Sequence, residues 1–167
     1  MAKIEIIGVG NENLVSIVEL LAYEIWREHY TPIVGEGQVE YMLGKFQSKI
    51  AISRQINQEG FLYYLIKDDK DNYIGYLGVL PKEEELFLSK IYIKSGQRGK
   101  GYGRQAIEFI EKLAHDKGLN KMTLTVNKKN TSTIETYKKI GFIILNPVVQ
   151  DIGDGFVMDD YKMEKTL

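Results

Sequence analysis

Cysteine is absent from the 167 residues, which removes disulfides, thiolate metal sites and a cysteine nucleophile from consideration. Histidine occurs twice, at His29 and His115, far apart in the chain. A zinc site or a histidine-based triad is therefore not expected, and no metal is. Three prolines and no repeats, Ser-rich linkers or low-complexity tracts leave no seam for a second domain, so residues 1–167 are read as one. No run approaches the roughly 18 apolar residues of a membrane span. The opening Met1-Ala-Lys-Ile-Glu-Ile-Ile breaks its apolar stretch with charge at once, unlike a signal peptide. The expectation is a cytoplasmic, soluble protein with no membrane partner.

What is present is unevenly distributed. Residues 1–45 hold seven acids (Glu5, Glu12, Glu19, Glu24, Glu28, Glu36, Glu40) against three bases, whereas residues 86–141 hold twelve bases against four acids. Two ligands of opposite charge suit this division better than one, although solvated helix faces would also account for it.

Periodicity supplies the elements. Lys3 to Val9 reads as a strand, and Asn11 or Asn13 can cap a helix whose apolar positions Leu14, Ile17, Val18, Leu21, Ile25 and Trp26 recur at three- and four-residue intervals. A break is expected at Thr31-Pro32, then a helix near Gly37 to Phe46, with Ile50 to Ile56 a short third. Phe61 to Lys67, Tyr73 to Leu80 and Leu86 to Ile93 read as three consecutive antiparallel strands. A helix from about Tyr102 to Lys117 and a strand Met122 to Val126 form a crossover, making that strand a parallel neighbour of Leu86 to Ile93. Asn130 then caps a short helix, and a hairpin of Phe142 to Val149 with Phe156 to Lys165 closes the chain, Pro147 pointing to a bulge or sheet edge.

The densest signal lies in "KSGQRGKGYGRQAIEFIEKLA", Lys94 to Ala114. A helix N-terminus carries unpaired N–H groups and roughly half a positive charge, so it binds anions if side chains do not block it. Gly99, Gly101 and Gly103 remove those side chains, although a tight turn needing positive φ would also favour glycine. A P-loop requires GxxxxGK[ST], which the spacing does not provide. A dinucleotide fingerprint requires a third glycine where Arg104 stands and an acid after the next strand, where Asn127-Lys128-Lys129 follow. Nucleic-acid binding lacks an aromatic RNA-binding signature.

What remains, Arg98-Gly99-Lys100-Gly101-Tyr102-Gly103 after the strand "KIYI", resembles the acetyl-CoA loop of the GCN5-related N-acetyltransferase (GNAT) superfamily. Asn130, Tyr137, Lys139, Gly141 and Phe142 in "NTSTIETYKKIGF" fit that superfamily's later motif, with Thr133 where alanine is usual. The resemblance covers about residues 60–165. It implies a single GNAT-type α/β domain with a mixed central β-sheet of about seven strands flanked by about four helices. It also implies acetyl-CoA as co-substrate and direct attack of an amine on the thioester. Cofactor contacts would fall on the backbone of Ile91 and Ile93, an N–H near Tyr92, the loop Arg98 to Arg104 (Arg98, Gly99, Lys100, Gly101, Tyr102, Gly103, Arg104), Asn130 and Lys139. Tyr137 would protonate or orient the leaving thiolate, although on spacing alone a tyrosine on an apolar helix face is more often core. The general base stays open, because Phe87 stands where many members carry glutamate; Glu85, Glu24, Glu28 or a water on Ser89 are the alternatives.

For the acceptor, Glu24, Glu28 and Tyr30 in "YEIWREHYTPI" and the acidic, aromatic ending "VMDDYKMEK" suit a small cationic amine. The chain is also similar to bacterial polyamine N-acetyltransferases in "IYIKSGQRGKGYG" and "TYKKIGF". A protein N-terminus or lysine, an aminoglycoside, and a non-catalytic acetyl-CoA sensor are the alternatives. The expected partners are acetyl-CoA and that amine, with homodimerisation left open.

Overall fold

The computed structural model describes residues 2–167. One mixed sheet runs in the order β1-β2-β3-β4-β5-β7-β6, built from β1 (Glu5–Gly8), β2 (Leu62–Lys67), β3 (Tyr73–Pro81), β4 (Leu86–Ile93), β5 (Lys121–Asn127), β6 (Ile143–Gly153) and β7 (Phe156–Thr166). Helices α1 (Glu12–Val34), α2 (Glu36–Phe46) and α3 (Lys49–Gln58) cover one face, while α4 (Tyr102–Asp116) and α5 (Thr131–Ile140) cover the other. The count is thus five helices rather than about four, because Lys49–Gln58 closes a full element capped by Ser48 on the Ala51 N–H.

Two cores follow from this layering. Val18, Ala22, Ile25, Trp26, Leu43, Ile52, Leu65 and Tyr76 are buried beneath the first three helices. Leu77, Val79, Leu86, Ala106, Ile110, Met122 and Leu124 are buried beneath α4 and α5. The expected break at Thr31-Pro32 does not occur. Pro32 sits in the last turn of α1, where its missing N–H removes a single bond, to the Glu28 carbonyl, and Tyr30 and Val34 keep packing on the core. The helix stops instead at Gly35, at φ 88°. Pro147 lies on β6, the edge strand, beside a register shift at Ile144/Asn146, as its backbone chemistry demands.

Two irregularities in β4 position everything that follows. Its register with β3 shifts between Gly78 and Val79, so that Ser89 is the extra residue of a bulge. Leu86 and Leu88 before the bulge, and Ile91 and Ile93 after it, therefore all face the α4–α5 core, while Tyr92 turns to the α1 side. The parallel pairing of β4 with β5 is confined to Leu86–Met122 and Phe87–Thr123. Beyond those two pairs the strands separate.

Gly75 is the point at which β3 fixes this distal half of β4. A Cβ there would lie 2.2 Å from the Tyr92 carbonyl oxygen and 3.1 Å from the Ile93 Cα, both backbone atoms that cannot give way. Gly75→Ala is expected to destabilise the protein by about 1–3 kcal/mol by pushing β4 aside; chemical denaturation that leaves the midpoint unchanged would contradict that packing.

Candidate active site

The separation of β4 from β5 opens a cleft of about 1260 Å³ that reaches from the α4 N-terminus to the space under α1, α2 and α3. The Lys94 N–H donates to the Ile74 carbonyl across the β3 ladder, whereas the Ile93 carbonyl accepts from Arg98 Nε at 3.2 Å. Alternation along β4 accordingly turns the polar backbone groups of Ile93 and Ile91 toward the opening and those of Tyr92 toward β3. The donor expected near Tyr92 is thus an amide of one of its neighbours.

At one end of the cleft, α4 begins without a side-chain cap and with no acid in its first turn. Its first intrahelical bond runs from Gln105 N–H to the Gly101 carbonyl, so the Tyr102, Gly103 and Arg104 N–H groups have no acceptor within the helix. Gly99 and Gly101 hold φ of 77° and 80°, a conformation that carries a side chain only at a cost of about 1–2 kcal/mol. The turn and the anion cradle are therefore one feature. Arg98, Gly99, Gly101, Gly103, Arg104 and Lys139 all line this end. Lys100, grouped with them from the sequence, points to solvent and bonds Gln97 Oε1 at 3.1 Å. The Tyr102 side chain is buried in the core, so only its amide is available.

In the middle stand Tyr137 and Asn130. The Tyr137 ring packs edge-on against Phe142 at 5.4 Å, and its hydroxyl makes no hydrogen bond among the described residues. Burial, with Tyr30 adding to it, pushes its pKa up, so the phenol is protonated at neutral pH. Asn130 does not cap α5 with its side chain as expected. The amide is buried and lies 3.0 Å from His29 Nε2 instead. His29 is held toward its neutral form by burial and by the charge of Arg98, which fits an imidazole nitrogen accepting from Asn130 Nδ2. His29 was missed in the sequence. Its position three residues after Trp26 and one before Tyr30, on the helix face that meets the sheet, was the available signal.

On the α1 side the cleft is lined by Trp26, Tyr30 and Tyr92. The Tyr30 and Tyr92 hydroxyls lie 2.9 Å apart, and Trp26 meets both rings edge-on or tilted. Asp160 faces the same space and is only 6% exposed. Burial, with Asp159 adding to it and Lys128 opposing, pushes its pKa up to about 6. Glu24 and Glu28 do not line the cleft. Their turn of α1 presents Trp26, His29 and Tyr30 inward, which leaves both carboxylates outside, Glu24 paired with Lys94 at 3.6 Å. Glu85 is likewise outside, bonded to the Thr123 hydroxyl. Of the positions considered for the base, Ser89 alone lines the cleft.

Comparison with known proteins decides the family. The Acetyltransferase (GNAT) family matches residues 21–142. The chain belongs to that family. An uncharacterized N-acetyltransferase, YobR, of Bacillus subtilis is 40% identical over 55 residues, 33% of this chain and 22% of that protein. A thialysine N-epsilon-acetyltransferase of Bos taurus is 33% identical over 60 residues, 36% of this chain and 35% of that one. The matches thus span between about a fifth and a third of these curated relatives. Among solved structures, the PaiA N-acetyltransferase of Thermoplasma acidophilum in complex with coenzyme A superposes with a TM-score of 0.80 at 22% identity, over 99% of both chains. A spermidine N-acetyltransferase SpeG chimera from Vibrio cholerae gives 0.72 at 17% identity, over 98% of this chain and 95% of that one. At these identities the likeness is one of fold. No group of three or more His, Cys, Asp or Glu able to hold a metal occurs among the described residues.

Gly103 lets a binding role expected of the loop amides be tested apart from a structural one, since a Cβ there meets no atom within 4 Å. Gly103→Ala should stabilise the free GNAT domain by about 0.5–1 kcal/mol, as alanine for glycine does in a helix. It should also weaken coenzyme A by about tenfold or more by covering the amides, a loss of at least ~1.4 kcal/mol. Unchanged affinity in a calorimetric titration would take the pyrophosphate away from this loop.

Proposed function

We propose that the protein is an acetyl-CoA-dependent N-acetyltransferase acting on a small-molecule primary amine. The observation that carries this reading is the meeting of Tyr137, Asp160 and the open backbone of Ile91 and Ile93 in one cleft. Burial raises the phenols of both Tyr30 and Tyr137, with the charge of Asp160 adding to the first and Tyr30 to the second.

The division of labour follows from charge. The loop amides and Arg98 hold the pyrophosphate, and the pantetheine arm extends β4 as an added strand in the gap. The thioester oxygen is met by a β4 amide, a donor worth roughly 3 kcal/mol to a developing oxyanion. An amine with a pKa near about 10.4 arrives protonated. Asp160 receives that ammonium between the rings of Trp26, Tyr30 and Tyr92, and the proton leaves to cleft water. The free amine nitrogen then bonds to the acetyl carbon, the carbon–sulfur bond breaks, the Tyr137 hydroxyl gives its proton to the departing thiolate, and the proton that the nitrogen sheds as it becomes an amide returns through cleft water to Tyr137. Any cationic acceptor, a polyamine included, would have to be met by Asp160 and not by Glu24 or Glu28, which lie outside the cleft.

Thiol release from acetyl-CoA should appear with members of a panel of amino acids, polyamines, aminoglycosides and N-terminal peptides. Tyr137→Phe is expected to lower kcat about 100-fold, the usual share of a general acid, with acetyl-CoA affinity kept. A wild type that binds acetyl-CoA but releases thiol with no amine would make the domain a sensor.

Asp160 gives a pH signature. Its ionised form is lost as the pH falls through about 6, so kcat/KM should drop about tenfold per pH unit below that point. The shrinking fraction of free amine adds its own slope on both sides of that point, so the Asp160 limb is the additional steepening below it. Asp160→Asn should lower kcat/KM and abolish the acid limb. The sign for stability is the reverse, because a carboxyl whose pKa is raised on folding destabilises the native state above that pKa. At neutral pH the variant should therefore gain about 1 kcal/mol, discounted for contact with cleft water, and the gain should shrink toward pH 4. A retained acid limb would remove Asp160 from the acceptor site.

A further inference from the structure

The cleft extends past Asp160 to an end of opposite charge that acetyl transfer to a simple amine does not use. Lys45, Arg54 and Lys90 line it, with Glu59 as the one carboxylate. Glu59 is taken by Arg54 at 3.0 Å. Among the described residues no carboxylate lies within ion-pair distance of Lys90 or Lys45. Lys90 Nζ donates to Ser89 Oγ at 2.5 Å and lies 5.3 Å and 5.9 Å from the Phe61 and Tyr63 ring centres. Lys45 Nζ donates to the Ile152 carbonyl and lies over the Tyr41 and Phe46 rings. Lys90 is half-buried and Lys45 exposed, and a half-buried cation without a carboxylate destabilises the empty protein unless a ligand completes it. Burial pushes the Lys90 pKa down to about 8 against a small opposing pull from Glu59, as expected for such a group.

Position along β4 turns this into a statement about the acceptor. Lys90 and Tyr92 are two residues apart beyond the bulge, hence on one face of the strand and roughly 7 Å apart. Tyr92 is bonded to Tyr30, and Asp160 lines the same cleft. The order along the cleft is therefore carboxylate, aromatic wall, ammonium.

We propose that Lys90, with Lys45 at its rim, is an anion subsite of the acceptor cleft, so that the amine acetylated here carries a carboxylate or comparable anionic group at the far end of a short chain. This deepens the acetyltransferase reading and rests on it. The acceptor class is an amino acid or related aminocarboxylate, with its amine at Asp160 and its anion at Lys90. A polycation would place its second ammonium against Lys90 and be rejected.

Lysine and cadaverine differ by one carboxylate and provide the test, with spermidine as the longer polycation. In steady-state assays of the full chain, kcat/KM for lysine should exceed that for cadaverine by about 10- to 100-fold, the worth of a charge-assisted contact. Lys90→Met keeps the length and the apolar packing of the stem. It should erase the preference by raising KM for lysine, with kcat for cadaverine retained. A wild type that favours cadaverine or spermidine would overturn the proposal. So would a Lys90→Met variant that lowers kcat for all amines alike, which would place Lys90 in the chemistry or the packing. If no amine releases thiol, the acetyltransferase reading itself has failed. Calorimetric titration of the CoA-saturated protein with lysine and cadaverine then judges the subsite separately: a lysine preference lost in Lys90→Met upholds it, and equal binding overturns it.

Discussion

The site depends on two strands that stop pairing. β4 and β5 share only Leu86–Met122 and Phe87–Thr123, so a sheet covered on both faces is open from Leu88 onward. A buried sheet does not leave backbone donors and acceptors unpaired without a reason, since each costs about 1–3 kcal/mol. The opening faces a cleft, and the cleft joins what the sheet would otherwise separate: Tyr137 from the α5 side, Tyr30 and Asp160 from the α1 side. Were the pairing continued to Ile93, acid, aromatic wall and anion cradle would lie on opposite faces of a wall.

Keeping that gap open requires β4 to be held from its other side. Gly75 allows β3 to approach the Tyr92 carbonyl, and the aromatic face behind it is tied down by a closed polar network. Tyr76 donates to Gln47 Oε1 at 2.6 Å, Gln47 Nε2 donates to the Tyr63 hydroxyl at 3.1 Å, and Tyr63 donates to Gln55 Oε1 at 2.5 Å. Gln55 Nε2 completes the circuit on the Phe46 carbonyl at 2.8 Å. Because every member is satisfied, burial strengthens the network rather than penalising it. It also locks α2 and α3 to β2 and β3, the walls of the acceptor end. Lys90 lies against the same network, 5.9 Å from the Tyr63 ring centre, and burial there lowers its pKa.

Local pattern made most of the fold legible. The strands, the long α4 and the final hairpin all carry period or turn signals in the residues that form them, and the glycine loop carries its own geometry. What failed was non-local. Pro32 signalled a break, yet the packing of Tyr30 and Val34 outweighed one missing N–H. Asn130 had the chemistry of a cap, yet His29, 101 residues away, took its side chain. The bulge at Ser89 has no glycine or proline to announce it, and it reverses which residues of β4 face which core. Lys90 and Tyr92 could not be assigned to the acceptor side without it.

The charge asymmetry shows the same limit from the other direction. The basic stretch does converge on the α4 N-terminus, where Arg98 and Arg104 line the cleft. The acidic stretch does not converge on the acceptor: Glu40 pairs with Arg27 at 2.7 Å, Glu24 with Lys94, and Glu19 accepts from the Lys49 N–H. These carboxylates hold helices to one another and to β4 from outside. The enclosed charges come instead from one aspartate of the acidic ending that the sequence had marked, Asp160, and from one lysine in a strand that it had not, Lys90. What distinguishes them is burial. An exposed ion pair contributes about 0–1 kcal/mol wherever it sits. A charge held in a half-dry cleft has an unmet electrostatic demand that only a ligand of opposite sign can meet. The charges available to a ligand are therefore those the fold encloses, and a net balance of -1 over the chain carries no information about them.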